Sequence, residues 1–116
     1  MNQTKEEIIS FNQFLSIDMR VGTVLNCVQV DGSEKLLKLE VDFGDLGTRQ
    51  ILAGLAKWYD SSDLDGTQAI FVVNLEPRKM MGLESQGMIM AADIGEDEKP
   101  VVLRPSESVE NGSRIR

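Results

Sequence analysis

One stretch constrains the fold more than any other. Positions 37–43 read Leu-Lys-Leu-Glu-Val-Asp-Phe, with Leu37, Leu39, Val41 and Phe43 alternating against Lys38, Glu40 and Asp42. Side chains along a strand point to opposite faces, so this pattern describes a strand with one face in a core and the other in water. Two unlike faces are the mark of an antiparallel sheet. Such a strand needs partners, and the flanking sequence supplies them.

Upstream, residues 20–30 (RVGTVLNCVQV) are β-branched and apolar, with Gly22 near the start as a candidate bulge or bend. Asp31-Gly32-Ser33 has turn chemistry. Downstream, residues 44–47 form a second turn and 49–56 (RQILAGLA) a third strand, in which Gly54 suggests a bend or a close backbone approach. Residues 57–66 suit one or two helical turns ended by Gly66. The continuous apolar run at 69–75 reads as a central strand, 88–92 as another, and 100–104 as a shorter one closed by Pro105. Residues 1–10 form a lead-in. Asn12 is a candidate cap for a short turn carrying Phe14 and Leu15, a helical plug on the core. Residues 106–116 are loop with a final extended piece.

Five main strands with a short helix between the third and fourth match an all-β OB-fold, a partly open five-stranded barrel, here with a C-terminal extension. Another small barrel or a sandwich fits the same pattern. The length of 116 residues holds one core, so residues 11–116 form one domain.

Several function classes are excluded. The chain has no histidine, so neither a Ser-His or Cys-His nucleophile pair nor a histidine metal site can be built. No P-loop or dinucleotide fingerprint occurs. The carboxylates either alternate with lysines or sit in turns, and Glu96, Asp97 and Glu98 read as a solvated hairpin tip. No catalytic residue, metal or cofactor is therefore expected. The single cysteine, Cys27, lies in an apolar run and reads as a packed residue in a reducing compartment. No apolar run is long enough to span a bilayer and the first ten residues have no secretory h-region, so a cytoplasmic location is expected. A net charge of −7 argues against indiscriminate nucleic-acid binding but leaves room for a small basic patch.

That patch has candidates. Lys35 and Lys38 flank the start of the alternating strand, Arg49 opens the next, and Arg78 and Lys79 are adjacent on a turn after Pro77. Adjacent cations on a turn between strands suggest an anion contact. The competing reading pairs them with Glu34, Glu40, Glu76 and Glu84 as surface ion pairs. Met80, Met81, Met88 and Met90 surround the same loop and read as core or subunit interface rather than ligand site.

The segments DMRVGTV (18–24), SEKLLKLEVDFG (33–44), RQILAGLA (49–56), NLEPRKMMGLESQGMIMAA (74–92) and PSESVENGSRI (105–115) resemble the tRNA-binding domain appended to methionyl-tRNA synthetase. Standalone tRNA-binding proteins and the C-terminal domains of eukaryotic synthetase complexes share that family. The resemblance implies a non-catalytic OB-fold that dimerises and holds tRNA by shape and backbone, raising the affinity of a catalytic body that joins methionine to tRNA. It also implies a contact surface of Lys35, Arg49, Arg78, Lys79, Ser85 and Met88. A standalone dimeric tRNA-binding protein, or a chaperone-like one holding peptides on the same fold, is the alternative. Many members carry a His-Pro-x-Ala-Asp stretch where this chain has Asp31-Gly32-Ser33-Glu34, so no contact from that histidine carries over.

Overall fold

The computed structural model describes residues 7–116, and the first six positions of the lead-in lie outside the described residues. Helix α1 (Phe11–Leu15) comes first, followed by strands β1 (Met19–Gln29), β2 (Leu37–Asp42) and β3 (Thr48–Ala53). Helix α2 (Ser61–Leu64) then leads to β4 (Gln68–Val72), β5 (Arg78–Met80), β6 (Leu83–Ser85), β7 (Met88–Ile89), β8 (Ala91–Ala92) and β9 (Val101–Val102). The main sheet is antiparallel in the order β3-β2-β1-β4-β7 and curls into a nearly closed OB-type barrel. The middle position belongs to β1. The apolar run at 69–75 lies one place off centre, between β1 and β7.

The alternation that announced β2 is the barrel wall. Leu37, Leu39, Val41 and Phe43 are each buried to 2% exposure or less, and they meet Val24, Ile51, Phe71 and Leu64 of α2. Phe43 and Phe71 pack edge to face with ring centroids 5.2 Å apart. Fully burying one such side chain contributes about 1.5–3 kcal/mol, so this interior dominates the stability.

Gly22 works differently from expectation. A Cβ there would stand 2.6 Å from Val41 and 2.7 Å from the Phe43 ring, so the glycine makes room for that ring. The bulge lies further along, where the β1–β2 register shifts between Val24 and Asn26 and leaves Leu25 half exposed. Gly54 ends β3 in a bend, with open space where a Cβ would go.

Two further expectations are corrected. Ser10, not Asn12, caps α1: its Oγ accepts from the Gln13 backbone N–H at 3.1 Å, and Gln13 Oε1 accepts in return from the Ser10 N–H at 2.7 Å. A serine with glutamine three residues on satisfies two free backbone donors at once, which Asn12 cannot do from inside the helix. Nor is the helix a plug, since none of its residues is buried and Phe11 is 71% exposed. The C-terminal extension does end in an extended piece laid along β1, with Arg20 bridged to Arg114, Gly112 N–H donating to Val21 O and Ile115 N–H to Met19 O. No helix among the described residues is long and apolar enough to cross a membrane.

Candidate nucleic-acid interface

The segment after Pro77 is a β-hairpin rather than a loop. β5 and β6 pair in the register Arg78↔Ser85, Lys79↔Glu84 and Met80↔Leu83, joined by Met81 and Gly82. Both joining residues have positive φ, 54° and 78°, as a two-residue type I′ turn requires. Neighbouring residues of a strand face opposite ways, so Arg78 and Lys79 do not form one side-by-side pair. Arg78 shares its face with Met80, Leu83 and Ser85 against the barrel, whereas Lys79 and Glu84 point away. Both cations are exposed. Among the described residues neither has a carboxylate within 4.0 Å, and the same holds for Lys35 and Lys38.

A short hairpin needs support, because two strands alone are marginal in water. Here β3, an edge of the sheet, supplies it. The Leu52 N–H donates to Ser85 Oγ at 3.0 Å, and the Ser85 hydroxyl donates to Gly87 O at 3.0 Å. Gln50 Nε2 donates to Glu84 O at 2.8 Å. The Gln50 N–H donates to Gln86 Oε1 at 3.0 Å, and the Gln86 N–H to Gln50 O at 2.8 Å. Gly87 closes the seam, since a Cβ there would lie 2.8 Å from Val72 O. Gln50 and Gln86 were not foreseen as working residues. The visible signal is an amide side chain directly before the apolar run Ile51-Leu52-Ala53.

The six expected contact residues therefore separate. Lys35 is exposed on the β1–β2 turn, which Ser33 orders by accepting from the backbone N–H of Lys35 at 3.3 Å and of Leu36 at 3.1 Å. This turn lies against the hairpin tip, where a Cβ on Gly32 would be 3.7 Å from Met81 Cε. Lys35, Arg78 and Lys79 thus belong to adjoining elements. Met88 is 44% exposed on β7, beside Leu75 in a small cavity that also reaches Arg78. Ser85 is buried at 3% exposure with its hydroxyl occupied, so it holds the hairpin in place.

Arg49 stands apart. It is opposite Val41, on the inward face of β3, and its Nη1 donates to Val73 O at 2.5 Å. There it approaches a second basic group. Asp18 accepts from Arg20 at 2.6 and 3.2 Å, and Arg114 Nε lies 3.8 Å away. The Arg20 bond, chiefly, holds the Asp18 carboxyl below its ordinary 3.8; burial opposes it, and the charges of Arg20, Arg114 and Arg49 assist. Cys27 is packed, and burial pushes its thiol up.

Comparison with known proteins fits this geometry. Residues 19–114 match the family described as "Putative tRNA binding domain", from the first residue of β1 to Arg114, which bridges to Arg20 from the C-terminal tail. The chain belongs to this tRNA-binding domain family. Its relatives include methionine–tRNA ligases of Methanothrix thermoacetophila, 48% identical over 97% of this chain, and Campylobacter jejuni, 42% identical over 92%. The domain spans only 16% and 17% of those two relatives. Among solved structures, a MetRS related protein from Pyrococcus horikoshii superposes with a TM-score of 0.88 at 38% identity, covering 96% of this chain and all of its own. The chaperone CsaA of Bacillus anthracis superposes at 0.85 and 33%, covering 95% of this chain and all of its own.

Proposed function

We propose that the domain is a non-catalytic tRNA-binding module that raises the tRNA affinity of a methionine–tRNA ligase catalytic part, joined to it or separate, in the cytoplasm. The observation that carries this reading is the hairpin with Arg78 and Lys79 exposed and free of carboxylate partners among the described residues, on a fold whose family binds tRNA. A guanidinium grips phosphate as a fork and an ammonium as a point charge, so the two strand faces would meet the RNA backbone in different ways. Lys35 adds a third contact from the adjoining turn. Ser85 acts through the hairpin it pins. Arg49 contributes to the barrel end and to the field around it.

The module works as a homodimer in this reading, with Met88 and Leu75 (both 44% exposed) at the partner side. A monomeric mass at micromolar concentration would overturn that part. For the RNA site, tRNA binding by the wild type is compared with Arg78→Ala/Lys79→Ala, and equal affinity would overturn the assignment. A standalone chaperone-like protein is the second reading, favoured by the likeness to CsaA. Binding of an unfolded peptide with no measurable tRNA affinity would select it.

A further inference from the structure

Met81 is the least expected residue of the hairpin. It occupies the first central position of a type I′ turn at φ 54°, where asparagine, aspartate or glycine is favoured and a long side chain is strained. It gives little to the core, being 57% exposed. Its methyl group instead reaches across to the Asp31-Gly32 turn. Beneath this bridge is a cleft of about 470 Å³. Val28, Met81 and Leu83 supply apolar walls, while Lys38, Asp31 and Gln29 bring polar groups to the lining. Val28 keeps 39% of its surface open.

We propose that this cleft takes a single unstacked RNA base; the proposal deepens the tRNA-binding reading above and rests on it. A base has two apolar faces and an edge carrying both donors and acceptors. Val28 and Met81 offer contact to such faces, and Lys38 and Asp31 offer a donor and an acceptor to the edge. The charge is complementary beyond the cleft too, because Lys35 and Lys79 sit on the two elements that form its rims and are placed to meet the adjoining phosphates. In a continuous duplex the faces are stacked and the edges paired, so the cleft selects a nucleotide turned out of its helix. An apolar peptide segment is the poorer occupant, since Lys38 and Asp31 would be covered without matching partners.

Met81→Asn separates folding from binding, because Asn-Gly suits the turn better than Met-Gly does. The probes are tRNA and a fully paired RNA duplex of similar length. Melting temperature should hold or rise, tRNA affinity should fall about fivefold, matching only the low end of the loss for a base stacked on an aromatic ring because these walls are aliphatic, and duplex affinity should stay unchanged. Val28→Thr, on the opposite wall, should act in the same direction. Wild-type binding that ignores both substitutions overturns the pocket alone, as does an equal loss on both RNAs. Weakened binding of an unfolded peptide with tRNA affinity intact makes the cleft a peptide site and overturns it. A wild-type chain that binds neither RNA overturns the tRNA reading and the pocket together.

Discussion

Two groups of cations occupy this acidic domain, and they live under opposite conditions. Arg20, Arg49 and Arg114 are each engaged from within: Arg20 donates to Asp18 and to Gly112 O, Arg49 to Val73 O, and Arg114 to Leu15 O. These bonds join α1, β1, β3, the end of β4 and the C-terminal tail. Lys35, Arg78 and Lys79 are exposed on a turn and a hairpin, with no carboxylate partner within 4.0 Å among the described residues. Charge alone does not make a binding site. What separates the groups is whether the side chain already has a partner inside the fold.

This contrast can be broken by experiment. The largest effect is expected for Arg20→Ala, which leaves Asp18 and the Gly112 carbonyl short of a charged donor. Stability should fall by about 3 kcal/mol, near the upper end for hydrogen bonds to charged groups, with tRNA affinity of the folded fraction nearly unchanged in denaturant titration and binding assays. Ser85→Ala comes next. It strands the buried Leu52 N–H, at about 2 kcal/mol, and should also weaken tRNA binding, because the hairpin loses its anchor. A Ser85→Ala chain that binds as the wild type would mean that the hairpin needs no anchor.

Arg78→Ala/Lys79→Ala should do the reverse of Arg20→Ala. Stability should stay within about 0.5 kcal/mol, as for surface changes generally. Affinity for tRNA should fall about tenfold, with the slope of log K against log salt shallower by about two. A drop in melting temperature as large as that of Arg20→Ala would erase the distinction. The smallest effect concerns acid. Asp18 is depressed in the folded state, so its stabilisation is fully present above 3.8, the ordinary value, and is lost as pH falls through the lowered pKa. The acid limb of a stability curve should flatten in Asp18→Asn and remain in Arg78→Ala.

Legibility in the sequence followed burial. β2 was readable residue by residue because one of its faces is wholly buried, and the five main strands with their intervening helix followed from it. The β5–β6 hairpin was not, because three-residue strands carry too little periodicity and Met81 hides a turn that asparagine would have announced. Arg78 and Lys79 were visible as cations but not as residues on opposite faces, since that depends on strand geometry. Ser85 and Arg49 were visible as polar residues but not as residues with partners inside the fold, for a related reason. A hydroxyl or guanidinium looks available in sequence until its partners, Leu52 and Gly87 for one and Val73 for the other, are found across the fold.

The seam between β3 and residues 84–87 has a consequence for the company this domain keeps. An edge strand with free N–H and C=O groups is a template for other chains, and at high concentration it invites sheet-to-sheet growth. The contacts of Gln50, Leu52, Ser85 and Gln86 occupy that edge with the chain's own polar groups. The hairpin that presents cations to solvent thereby also shields the barrel's open side, and losing its anchor would expose a surface prone to aggregation.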